Sequence, residues 1–394
     1  MDSRTREYLR GRFGDHYRRT EVPLPPAPVA REWGHIPFTE GPGTTMVRHR
    51  SLSQVGDLGT FLARERPRHV YYSAGRYEEP AERSMDGKGW RGSDLVFDLD
   101  ADHLPAVDPA TDSYREMLDA CKAALLRLLD LLETDFGFED PLVVFSGSRG
   151  YHVHVREEGV RELDREDRRG VVDYVLGADV ELEDLTDVET VAGTAGRSSP
   201  AERHTLRTGG GWGRRLHDCL LGLAEEVREL GPEAGRARLR EFEGIGEKGA
   251  DRLYDAMTDG YDQLAAGNIE RGGRYTRRLA ELLLERVRTE QRAPIDEPVT
   301  TDLNRLIRLP GSVHGGSALA VTPIDREGRD GFDPLVDAVP ETFRGNEIRV
   351  DSPDARTVEL LGETHNIPEG VSTVSEPVGL FLMARGEALK APEP

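Results

Sequence analysis

The run 95-LVFDLD-100 constrains this chain more than any other six residues. Leu95, Phe97 and Leu99 fall on the two-residue period of a half-buried strand. Residues two apart on a strand point the same way, so Asp98 and Asp100 share the other face with Cα atoms ~6–7 Å apart. Burying unpaired charge is costly, so the fold has to place something cationic beside these carboxylates. A third acid, Asp102, follows just beyond.

Two carboxylates so placed can hold a pair of divalent cations ~3.5–4 Å apart, as two-metal phosphoryl-transfer sites require. Their hard oxygens favour magnesium or manganese over zinc. A strand that ends at an exposed acidic tip carries the same short pattern, and the run alone leaves both readings open.

The surroundings suggest an α+β chain. Residues 4–19 have helical spacing, with Tyr8, Leu9, Phe13 and Tyr17 on one face, and a proline-rich connector, 22-VPLPPAPVA-30, follows. Strand-like pieces in 46-MVRHRSL-52 and 69-HVYYSAGRY-77 flank a helix within 54–65. Residues 113–135 form a helix capped by Ser113, with Met117, Leu118, Ala120, Cys121, Ala124 and Leu125 inward. The segment 141-PLVVFSGSRGYHVHVR-156 is strand, glycine turn, strand. A helix over 162–177 leads to a weakly periodic connector over 178–212, and 213–290 is helical throughout. Strands return at 303–308, 319–324 and 346–350. The expected organisation is a core over 1–210, a helical insert over 211–290, and core plus C-terminal tail over 291–394. Within the insert, 244-GIGEKGADRL-253 reads as a glycine-broken helix–helix turn, and it also echoes the helix-hairpin-helix pattern that offers backbone amides to DNA.

Composition bounds the setting. The formal net charge is −21, and only Lys88, Lys122, Lys248 and Lys390 among 52 basic residues are lysine. An acidic, lysine-poor surface suits a protein kept soluble in concentrated salt, a halophilic signature. Molar salt screens repulsion beyond a few ångströms, so acidity does not exclude a nucleic-acid partner. No apolar run is long enough to span a membrane, and the N-terminus lacks the apolar core of a secretion signal; a cytoplasmic protein is expected. Cys121 and Cys219 make neither a disulfide framework nor a zinc site.

Two further elements bear on chemistry. In 146-SGSRGYHVH-154 the glycines let the backbone turn and aim N–H groups at an anion. Ser146 adds a hydroxyl and Arg149 a bidentate phosphate donor. His152 and His154 face one side of the returning strand; with no third soft ligand nearby, phosphate binding is a better fit than a metal pair, although a plain hairpin would look the same. The segment 295-IDEPVTTDLNRLIRLPGSVHGG-316 adds Asp296 and Asp302, a strand and His314. Alone, it could be a loop before an amphipathic strand.

As an ordered set, these elements resemble the catalytic small subunit of archaeal and eukaryotic DNA primases. That family shows a Φ-x-F-D-Φ-D strand, an SGxRGxH hairpin, and a late Asp followed by [K/R]-x-P-x-S-[L/V]-H. Here they are 95-LVFDLD-100, 146-SGSRGYH-152, and Asp296 leading to 308-RLPGSVH-314, with 71-YYSAGRYEEP-80 upstream. The resemblance implies a mixed two-sheet catalytic core with an inserted helical subdomain. It implies Asp98, Asp100 and Asp296 as metal ligands for Mg2+ or Mn2+, and Ser146, Arg149, His152, Arg308 and His314 around the triphosphate. Asp296 rather than Asp302 is chosen by the family spacing to the histidine. The implied partners are a single-stranded DNA template, NTP or dNTP, and an iron–sulfur large subunit. Two departures stand out. The zinc cluster of many members is reduced to His103 and Cys121, so structural zinc is not expected. Gly315, Gly316 and Ser317 replace a lysine that some relatives carry after the last histidine. The competing functions are a metal-dependent phosphohydrolase using the same D-x-D and a non-catalytic, polymerase-like nucleic-acid-binding subunit.

Overall fold

A computed structural model describes residues 1–39, 45–191 and 201–393. Contacts divide the chain into two units. The first comprises Met1–Leu125, Glu139–Val172 and Pro294–Pro394; the second comprises Leu126–Phe138 and Asp173–Ala293.

Two four-stranded antiparallel sheets organise the first unit. One runs Leu306–Arg308, His69–Ser73, Trp33–Ile36, Val47–Arg50 in spatial order; the other runs Thr322–Ile324, Leu142–Phe145, Gly150–Val155, Leu95–Asp100. The alternation in the last strand is realised: Leu95, Phe97 and Leu99 are fully buried. Cys121, on the helix Tyr114–Asp130, brings its thiol to the Leu99 carbonyl (3.7 Å), so this helix covers that edge of the sheet. Its start is a reciprocal cap: Ser113 Oγ accepts from the Glu116 N–H (3.2 Å) and the Glu116 carboxylate accepts from the Ser113 N–H (2.8 Å). On the opposite face, Val96 joins Ala74, Val299 and Ile307 in an apolar cluster, and His154 stacks on Tyr72 with ring planes 8° apart. The two sheets therefore meet across the face that carries Asp98.

Strands continue past the one expected at 346–350. Glu347–Ser352 is flanked by Gly370–Ser375 and Leu389–Lys390, and Arg356–Leu360 pairs with Glu363–Ile367. The helix Glu376–Arg385 is buried along its length because VGLFLMA leaves it no polar face.

The second unit packs the helices Gly211–Arg240, Glu247–Met257 and Arg274–Gln291 around Leu216, Leu220, Leu253, Leu279 and Leu283. The first of these breaks at Gly231 (φ 73°), before Pro232. The turn before Glu247 contains Gly244 at φ 81°, a backbone that favours glycine. The connector expected over 178–212 is partly a hairpin, Thr186–Val191 against Ala201–Leu206. Its sequence, TDVETV against AERHTL, carries no strong apolar period; residues 192–200 lie outside the described set. Among the described residues, no helix is long and apolar enough to cross a membrane.

Candidate active site

The register of the central hairpin sets the site. Asp98 stands opposite His152, and Asp100 opposite Gly150. A Cβ on Gly150 would lie 2.0 Å from the Leu99 carbonyl oxygen, so the close approach of the strands requires glycine. Asp296 is brought in by its backbone: its N–H donates to the Asp98 carbonyl (2.8 Å) just before the short helix Glu297–Thr301. A cleft of about 650 Å³ opens here, and all eight residues singled out in the sequence line it: Asp98, Asp100, Asp296, Ser146, Arg149, His152, Arg308 and His314. Asp302 lines it too, but its Oδ1 is engaged in capping the Asn304 N–H (2.9 Å).

Asp98 is an acid without a fixed cation. Its side chain is 24% exposed, and the contact to His152 Nε2 is 3.6 Å, too long for a hydrogen bond. Burial pushes its carboxyl up to about 6; the positive charge of Arg308 works against this and Asp100 adds to it. His152 is pushed down to about 3, mainly by burial and then by Arg308, so it is a neutral imidazole at pH 7. His314 is likewise driven well below its usual range by burial and then by Arg308. Its Nδ1 accepts from the Gly316 N–H (3.2 Å), which assigns the proton to Nε2. Both histidines can thus give a phosphate neutral hydrogen bonds only, not charge-assisted ones. His154 lies in the interior on Tyr72, and neither of its ring nitrogens has a partner among the described residues.

Arginine supplies the cleft's positive charge. The guanidinium groups of Arg305 and Arg308 make no hydrogen bond or ion pair with any described residue, and the Arg308 Nε is buried without an acceptor. The buried guanidiniums of Arg31, Arg168 and Arg215 are all bonded, whereas this half-buried pair is free to meet an anion. Arg305 escaped the sequence reading because NRLIRL fits a strand in which only the second arginine matches a known motif. Arg149 is held by Asp102, which is therefore a partner to the turn rather than an idle flanking acid. Asp100 in turn accepts from the Asp102 N–H (3.2 Å).

The glycine turn is polarised. Four successive carbonyls are tied: Gly147 to the Ser317 hydroxyl, Ser148 to the Tyr114 hydroxyl (2.7 Å), Arg149 to the Ala101 N–H (3.1 Å) and Gly150 to the Ser146 N–H (2.9 Å). The N–H groups of Gly147, Ser148 and Arg149 have no acceptor among the described residues. Consecutive free N–H groups form a concavity that suits an anion. Gly147 has φ 81°, and a Cβ there would sit 2.7 Å from that of His314.

Among the described residues, no three His, Cys, Asp or Glu side chains converge tightly enough to hold a metal ion by themselves. The donor set nonetheless fits magnesium or manganese, which bind through one or two carboxylates and complete their shell with water and substrate phosphates. Cys121 is no ligand: it is buried under the sheet and burial pushes its thiol up.

The fold and cleft define an α+β protein with unbonded guanidiniums beside paired carboxylates. A family model described as DNA primase small subunit matches residues 97–326. Relatives named DNA primase small subunit PriS include that of Haloarcula marismortui, 58% identical over 393 residues with 100% of both chains covered. That of Halobacterium salinarum is 55% identical over 393 residues, again with 100% of both chains covered. That of Methanococcoides burtonii is 38% identical over 402 residues and 100% of both chains. This chain belongs to the DNA primase small subunit family. Its acidic, lysine-poor composition fits the halophilic relatives.

Proposed function

We propose that the chain is the catalytic subunit of a DNA primase, making short primers de novo on single-stranded DNA from NTPs or dNTPs, with a large subunit as its partner. The observation that carries this reading is the pairing of two unbonded guanidiniums, Arg305 and Arg308, with the under-compensated Asp98 and Asp100 in one cleft. A nucleoside triphosphate with its divalent ions suits that arrangement, the phosphates facing the guanidiniums and the cations facing the carboxylates. The 3′-hydroxyl of one nucleotide attacks the α-phosphorus of the next; the O3′–P bond forms, the bond to the β-phosphate oxygen breaks, pyrophosphate leaves, and the hydroxyl proton passes to solvent.

Asp98, Asp100 and Asp296 would hold Mg2+ or Mn2+, which would acidify the attacking hydroxyl and neutralise the leaving group. Arg305 and Arg308 draw the triphosphate against the strand, and the N–H groups of residues 147–149 receive its oxygens. Arg149 joins them by exchanging Asp102 for phosphate. The His314 Nε2–H donates a neutral hydrogen bond. Burial of this face by the facing sheet limits water, which strengthens each of these contacts.

Arg308→Ala is expected to raise KM for the nucleotide about 10- to 100-fold, the range for one charge-assisted contact, and Arg305→Ala to act in the same direction. The check is steady-state primer synthesis on a single-stranded template, read by pyrophosphate release. Unchanged KM in both variants would remove the arginines from the triphosphate site. Phosphate release from a monoester, with no template-dependent pyrophosphate, would favour the hydrolase reading instead.

A further inference from the structure

The hydroxyls that tie the glycine turn come from distant parts of the chain. Tyr114 begins the helix behind the sheet, and Ser317 lies in the segment that stands where some relatives carry a lysine. Each donates to one carbonyl of the turn: Tyr114 to Ser148 (2.7 Å) and Ser317 to Gly147. A carbonyl fixed outward rotates its peptide so that the following N–H points the other way. Holding Gly147 and Ser148 carbonyls back therefore aims the Ser148 and Arg149 N–H groups into the cleft. We infer that Tyr114 and Ser317 are positioning residues for the incoming triphosphate, setting the turn's amides without touching the nucleotide. This inference rests on reading the turn as the triphosphate site.

Tyr114 is built for that task. Its ring meets Phe381 edge-on at 5.3 Å, and the Arg385 guanidinium lies 4.4 Å from the ring centroid. Arg385 is itself steadied by Glu387 (Nε to Oε1, 2.7 Å). Burial pushes the Tyr114 phenol up to about 12, so the group remains an O–H donor at working pH. The C-terminal helix Glu376–Arg385 thus reaches the turn through one aromatic ring. Ser317 has a second duty, since its oxygen also accepts from the Leu319 N–H (3.1 Å), so Tyr114 gives the cleaner test.

The experiment compares the full-length wild type, Tyr114→Phe and Ser317→Ala. Binding of inorganic tripolyphosphate with Mg2+ is measured by calorimetry, alongside nucleotide KM and kcat and melting temperature. Tyr114→Phe is expected to weaken tripolyphosphate binding and raise KM by the same factor, roughly fivefold for one net hydrogen bond, with kcat within about twofold. Ser317→Ala should shift both constants the same way. Wild-type affinity in Tyr114→Phe, or a lower melting temperature with KM unchanged, would overturn the inference. Failure of the wild type itself to bind tripolyphosphate would overturn the parent reading of the turn.

Discussion

Asp98→Asn is expected to abolish primer synthesis, by about a hundredfold or more, while leaving the protein folded. Asparagine keeps the shape of the side chain but loses the charge that the cations and the Arg308 field need. The same change should not lower thermal stability. The native state holds the Asp98 proton more tightly than the unfolded chain, because burial raises its carboxyl from 3.8 to about 6. That contribution is present below about pH 4 and is lost as pH rises through 6. In chelator, the melting temperature of Asp98→Asn relative to wild type should therefore climb across this window, by a few degrees at most. Calorimetric scans at several pH values, paired with a priming assay, measure both effects. Near-normal synthesis by Asp98→Asn would refute the assignment of this strand.

Asp94→Ala is expected to destabilise the first unit by about 3–5 kcal/mol, a large share of a normal folding free energy. Asp94 sits just before the strand Leu95–Asp100 and is fully buried, as is Arg31, whose Nη2 lies 2.6 Å from Oδ2. Arg76 (3.3 Å) and Arg156 (3.4 Å) reach the same carboxylate. Arg168 meanwhile bonds the carbonyls of Ser93 (2.7 Å) and Asp94 (3.1 Å). Removing the one acid leaves three guanidiniums uncompensated, one of them with no access to water. Because the pair is buried, concentrated salt screens it little, unlike the many exposed ion pairs of this chain. Denaturant unfolding in low and molar salt reads the loss, which should persist in both. A midpoint equal to wild type would show that the cluster is not a stabilising hub.

What the sequence revealed follows from how far each signal reaches. Alternation in 95-LVFDLD-100 and the glycine turn of 146-SGSRGYH-152 are local, so the strand, the hairpin and their shared face could be read directly. Bringing Asp296 and Arg308 to that face needed the family motif, because some two hundred residues separate the elements. Between Asp296 and Asp302 the sequence offered no physical choice; both line the cleft, and the distinction is the Asp296 N–H bond to the Asp98 carbonyl. Partners that act by tertiary contact stayed hidden: the Asp102–Arg149 pair, the Arg31–Asp94 hub, and the hydroxyls of Tyr114 and Ser317. The protonation of His152 and His314 was equally invisible, since it depends on burial. Contacts group Leu126–Phe138 and Asp173–Ala293 in the second unit, a grouping made by tertiary contacts that no local apolar period announces.

The most direct test of the catalytic cleft is a crystal structure of the protein soaked with manganese and a non-hydrolysable nucleoside triphosphate. Anomalous peaks should lie on Asp98 and Asp100, with the triphosphate between Arg308 and the N–H groups of residues 147–149. A triphosphate bound elsewhere, with no manganese on Asp98, would contradict the assignment.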